Sequence, residues 1–183
     1  MLFAPELARP GEVIITPTTE QSLGVAAYRA SMTGWAAAAW PAANLVIFVP
    51  FYVPEPVTVT KLFAAIGVAS GNIDLGIYAE DGTRLVSKGT TAAAGATDLQ
   101  VLDVTDTVLA RGTYYMAMVC DTVTTLTVLS VAPAAGILQA FGLLEQAGIT
   151  MPLSTGASPA TFAKYTRAYL PMMGVQGYRT FGP

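Results

Sequence analysis

Gly71-Asn72-Ile73-Asp74-Leu75-Gly76-Ile77-Tyr78-Ala79-Glu80-Asp81-Gly82-Thr83-Arg84-Leu85-Val86 decides the fold. Ile73, Leu75 and Ile77 recur at every second position, the period of a strand with one face buried. Glu80-Asp81-Gly82 is turn chemistry, after which Thr83 to Lys88 resumes an extended pattern. A two-residue loop would set Ile77 opposite Val86 and Tyr78 opposite Leu85, with apolar residues on both faces. A three-residue loop, Glu80 to Gly82, instead pairs Ile77 with Leu85 and Tyr78 with Arg84. It also uses Gly82 for the positive φ that such loops need. That register gathers Ile73, Leu75, Ile77 and Leu85 inward and lays Arg84 beside Tyr78 outward. The three-residue loop is therefore predicted.

Working outward, strand patterns fill Asn44 to Val131. Leu45 to Val49 is an apolar, largely β-branched run, continued past Pro50 by Phe51-Tyr52-Val53, and Pro50 implies an edge or a bend. Val57 to Thr60 alternates and Leu62 to Val68 is continuously apolar. Leu99 to Thr105, Thr113 to Asp121 and Val123 to Val131 complete the set. Strands spaced by about ten residues, with Gly, Asn and Asp between them, predict an all-β, antiparallel, jelly-roll-like β-sandwich. Three regions are expected: an extended N-terminal arm over 1–43, the sandwich over 44–131, and a C-terminal extension over 132–183. The extension should hold one short helix within Gly136 to Gly148, from the spacing of Ile137, Leu138, Phe141 and Leu144, although Gly142 weakens it. Tyr165 to Gln176 reads as a final strand returning to the sandwich.

Charge is scarce. Of 183 residues 11% are Asp, Glu, Lys or Arg, none is His, and the mean hydropathy is +0.53, against roughly 25% charged residues in a typical soluble domain. Two uncharged stretches, Ala30 to Pro54 and Thr122 to Leu144, are broken by proline or rich in threonine and lack basic flanks, so no membrane span is expected. A surface covered by other protein is the alternative, and it predicts assembly. The net charge of −3 and the scattered basic residues argue against direct nucleic-acid binding. Met1 to Pro10 has no basic region followed by an apolar run, so no secretory signal is expected. Within the arm, Tyr28, Trp35 and Trp40 are candidate interface residues, because aromatic side chains in an uncharged extension suit anchoring on a partner.

Catalytic signals are few. Without histidine there is no Ser-His-Asp or Cys-His pair, and Cys120 alone cannot build a thiolate metal cage. Asp98, Asp103 and Asp106 read as solvated residues around a strand, and their spacing does not match an EF-hand loop. Gly67, Gly71 and Gly76 are interleaved with strand residues, which excludes a dinucleotide fingerprint. No catalytic residue, cofactor or metal is expected. Tyr52, Tyr78, Tyr114 and Tyr115 are candidates for a stacking platform that recognises a host-surface glycan.

The Gly71 to Val86 stretch, with Leu109-Ala110-Arg111-Gly112-Thr113-Tyr114-Tyr115 and Phe48-Val49-Pro50-Phe51-Tyr52-Val53-Pro54, resembles β-sandwich structural proteins of tailed-bacteriophage virions. The likeness covers about Leu45 to Ser130, with a weaker echo in Arg167 to Pro171. Its pattern is a strand–hairpin–strand signature that specifies no active site and is also seen in carbohydrate-binding modules. The resemblance implies a non-enzymatic virion component of decoration, adaptor or fibre type. Such a component is assembled in the host bacterial cytoplasm with other virion proteins as partners, and is a homo-oligomer with a trimer favoured.

Overall fold

The computed structural model describes residues 12–15, 32–94, 96–122, 125–131, 138–140, 142–153, 163–167 and 169–179. They form two antiparallel sheets that pack face to face, as expected of an all-β sandwich. In sheet A, β1 (Glu12–Ile15), β14 (Met173–Arg179), β4 (Val57–Val68), β10 (Thr125–Val131) and β13 (Tyr169–Pro171) follow one another. β2 (Met32–Ala39) lies against β10, and β8 (Ala96–Leu109) against β4. Sheet B runs β12 (Ala163–Lys164), β11 (Leu144–Gln146), β3 (Leu45–Val53), β9 (Gly112–Cys120), β5 (Asn72–Ala79), β6 (Arg84–Ser87), with β7 (Thr91–Ala92) also on β5.

The two-residue period of the strands sets the core. Leu45, Ile47, Val49, Phe51 and Val53 of β3, Ile73, Leu75 and Ile77 of β5, and Met116, Met118 and Cys120 of β9 face sheet A. They meet Val57, Val59, Leu62, Ala64 and Ile66 of β4 and Met173 and Val175 of β14, all in one buried cluster. Val57 to Val68 is a single strand whose pairing with β8 slips between Val59 and Lys61. Such a slip lets Val59 and Leu62, three apart, both point inward. Pro50 lies just past the three residues of β3 that β11 covers, on a stretch with no second neighbour among the described strands, which suits a residue without an N–H.

At the decisive hairpin, Tyr78 pairs with Arg84 across a Glu80–Gly82 loop, and Gly82 has φ +85°. The loop is closed by Ala79 N–H to Thr83 O (2.9 Å) and Gly82 N–H to Ala79 O (3.0 Å). The expectation fails one residue further on. Pairing slips between Ile77 and Tyr78, so Ile77 faces Val86, and Val86 rather than Leu85 turns inward. Leu85 becomes the extra residue of a bulge and is 38% exposed. The bulge resolves the conflict between the two candidate loops, keeping the glycine turn at the tip and the β-branched residue in the core.

The arm expected through Ala43 does not extend that far. Met32–Ala39 pairs with β10 from Ala39↔Thr125 to Met32↔Val131, and Glu12–Ile15 pairs with β14. Trp40, expected as an anchor on a partner, is 1% exposed in the chain's own core, its Nε1–H donating to Leu45 O at 2.9 Å. An indole beside an apolar strand buries more surface by folding inward than by waiting for a neighbour. Trp35 lies in β2 opposite Leu129, and Tyr28 falls outside the described residues. The helix expected within Gly136 to Gly148 is only a turn at Leu138–Ala140 among the described residues. Gly142, at φ +82°, ends it by donating to Gln139 O, and Leu144–Gln146 is a strand instead.

Replacing Trp40 by Ala should remove a buried ring and the donor it gives to the Leu45 carbonyl, costing about 3–5 kcal/mol. Urea denaturation followed by circular dichroism should show a lowered midpoint with the strand spectrum kept in buffer. An unchanged midpoint would mean that the ring is not a core residue.

Candidate functional site

The four tyrosines named from sequence do not form one platform. Tyr114 points to the sandwich interior, where its ring centroid lies 6.0 Å from that of Phe51 and its hydroxyl donates to Ala110 O at 2.9 Å. Tyr78 points to the opposite, outer face of sheet B but is 1% exposed, packed edge-on against Phe48 with centroids 5.4 Å apart. Burial pushes its pKa up to about 12, against the lowering effect of Arg84. Tyr52 and Tyr115 are the pair left accessible. Tyr52 faces Thr113 and Tyr115 faces Pro50 across the β3–β9 pairing, so the two tyrosines are diagonal neighbours on the outer face. Tyr52 is 40% exposed and its hydroxyl accepts a 2.7 Å hydrogen bond from Arg111 Nε. Burial raises the Tyr115 hydroxyl's pKa, and the negative charge of Glu80 adds to the rise.

What covers Tyr78 is the more developed arrangement. The outer face of sheet B carries Val46, Phe48, Tyr78, Ala117 and Val119, a buried cluster separate from the main core. Over it runs the segment from Leu143 to Leu153. Leu143 is in the main core, Leu144 to Gln146 pair with the edge of β3, Ile149 N–H donates to Asn44 O at 3.0 Å, and Leu153 reaches β5 and β6. The segment thus crosses the sheet from one edge toward the other as a strap. At its far end Leu153 N–H donates to Asp74 Oδ2 at 2.8 Å, and Leu153 O accepts from the Arg84 guanidinium. Gly76 lies beneath the leucine. A Cβ built there would sit 3.0 Å from Leu153 Cδ1 and 2.7 Å from Val86 O. Glycine inside this strand therefore marks a close approach.

Asp74 is fully buried and holds three donors: Leu153 N–H, Ser87 Oγ–H at 2.9 Å and Gly89 N–H at 3.0 Å. Burial nevertheless outweighs these donors and the Arg84 charge, so its pKa stands above the usual carboxylate value. Glu145, 7% exposed, accepts from Thr166 Oγ1 at 2.8 Å and Arg167 Nε at 3.2 Å, tying β11 to the chain after β12. Asp103 is exposed and 3.8 Å from Lys61, and Asp106 is exposed. Among the described residues no three acidic or cysteine side chains converge as metal ligands would. An open polar cleft of about 360 Å³ is lined by Ser87, Lys88, Asp103, Val104 and Thr105. No helix among the described residues is long and apolar enough to cross a membrane.

Sequence reasoning passed over Asp74, Arg84 and Leu153 as a unit, because 79 positions separate Asp74 from Leu153. One local signal was available: Asp74 alternates in phase with Gly76 and Tyr78, which puts a carboxylate and a glycine side by side on a face otherwise apolar. In comparisons with known proteins, the chain matches no family model and no curated protein.

The raised pKa of Asp74 gives a signed pH dependence. An acid whose folded pKa exceeds its unfolded pKa favours folding most when both states are protonated, and that contribution is lost as pH rises through the folded value. Wild type should therefore lose stability relative to Asp74→Asn as pH climbs from below the ordinary carboxylate pKa toward neutrality. Urea midpoints of both proteins across that range test it. A difference that is flat with pH, or that changes in the opposite sense, would refute the assignment.

Proposed function

We propose that the chain is a non-enzymatic structural protein of a tailed-bacteriophage virion, assembling through apolar faces of the sandwich as a decoration, adaptor or fibre component. The observation that carries the assembly reading is the outer face of sheet A. Residues directly opposite on adjacent strands share a face, so Val108, Thr58 and Tyr178 form one row across β8, β4 and β14, and Val101 and Phe63 begin another. Val101 is 49%, Val108 60% and Tyr178 44% exposed, and the Lys61–Asp103 ion pair is set in the same face. Apolar residues grouped on one sheet face, in a chain with 11% charged residues, support a covered surface. The resemblance of the Gly71 to Val86 hairpin supports the virion setting, and with it a homo-oligomer. A host glycan is the second reading, favoured by Tyr52, Tyr115 and Arg111 on the other sheet, which leave room for stacking and hydrogen bonding at one place. Loss of glycan-array binding on Tyr52→Ala and Tyr115→Ala would support it.

The assembly test is the mass in solution. Light scattering of purified protein should give a multiple of 19.0 kDa, and the pair Val101→Asp and Val108→Asp should shift it to monomer with an unchanged circular dichroism spectrum. Mass spectrometry of purified particles should find the chain in them. A wild-type protein that stays monomeric at high concentration and is absent from particles would overturn the proposal.

A further inference from the structure

Leu153 is held as a neighbouring strand would hold it, but by side chains: Asp74 takes its N–H, Arg84 serves its C=O, and Gly76 opens the floor for its isobutyl group. Every polar contact in that set is to the main chain. Between this clamp and β11 the strap is loosely engaged, with Ala147, Gly148, Thr150 and Pro152 exposed and Ile149 and Met151 half-buried. The apolar bed beneath it, Val46, Phe48, Tyr78, Ala117 and Val119, belongs to a cluster of its own, so lifting residues 147–153, with Leu143 and β11 left as they are, would leave the main core between the sheets in place. A carboxylate and a guanidinium spaced for one residue's amide and carbonyl, beside a leucine-sized hollow on an apolar face, have the chemistry of a site for an extended peptide.

We infer that Asp74, Gly76 and Arg84 form a peptide-recognition site for which residues 147–153 are an exchangeable internal ligand, and that the partner it fits is the same segment of a second copy of this chain. The fit is given by the intramolecular contact itself, because a second copy's segment offers the same amide, carbonyl and leucine to the same groups, the basis of segment exchange between identical protomers. The inference deepens the assembly reading by naming a second contact, on the sheet opposite to the Val101–Val108 face. The two fail separately: capture of the peptide does not depend on Val101 or Val108, and mass in solution reports their face when no peptide is present.

The test uses the full chain carrying Leu153→Asp, which drives its own strap tip out of the hollow, and a fluorescent synthetic peptide of residues 147–153. Anisotropy should show saturable binding to this variant. Binding to wild type should be about tenfold or more weaker, because its own strap occupies the site. Adding Arg84→Ala to the variant should weaken binding about tenfold through loss of a charged hydrogen bond, and a peptide with Leu153→Asp should not bind. Should Leu153→Asp fail to fold by circular dichroism, Leu153→Ala takes its place with the same expected order. A folded strap variant that does not take up the peptide, or that takes up both peptides equally, overturns the inference.

Discussion

A sheet has two faces, and in sheet B both are apolar. β3, β9 and β5 send one set of side chains to the sandwich core and the other to Val46, Phe48, Tyr78, Ala117 and Val119. Leaving the second set in water would expose a patch of the kind that drives association, so the fold must supply a cover on the side away from sheet A. The strap is that cover, and much else follows from it. β11 exists to start it along the β3 edge, Gly76 exists to admit its leucine, and Asp74 and Arg84 satisfy the main-chain groups that an extended segment brings onto an apolar surface.

Asp74 shows how narrow the balance is. A buried carboxylate is unfavourable by itself, and three donors plus a nearby guanidinium do not fully offset the loss of water, as the raised pKa records. A leucine or valine at position 74 would pack the outer face with less electrostatic strain, but it would leave the amide of Leu153 without its side-chain acceptor and the turn amide of Gly89 with Ser87 Oγ alone. One side chain therefore organises the β6–β7 turn and the end of the strap together.

Legibility from sequence followed contact distance along the chain. The β-branched apolar run from Leu45, the alternation in Ile73 to Ile77, and the glycine at the hairpin tip were readable because strand propensity, strand period and turn geometry are local. The bulge that swaps Leu85 for Val86 was not, since it depends on which of two similar side chains fits the core opposite. Trp40 was misread for a related reason: its surroundings in sequence are alanines and a proline, and only Leu45 folding back beneath it reveals an intramolecular berth. The helix expected after Gly136 lost to Gly142 and to the open edge of β3, a tertiary partner invisible to periodicity.

The same distance rule explains how the candidate site came to be relocated. Tyrosines were conspicuous as residue types, yet type alone does not assign a face, and the β3–β9 register sends Tyr114 inward while Tyr52 and Tyr115 face out. The charged residues carried the information instead. In a chain with 11% charged residues, an aspartate in phase with the apolar positions of a central strand is costly wherever it lands, so it persists where it has a task that an apolar residue cannot perform. Here that task is to hold a main-chain amide that arrives from the far end of the sequence. A clamp that recognises backbone rather than side chains is indifferent to which copy of the chain supplies the backbone, and that indifference connects the energetics of this one buried carboxylate to assembly.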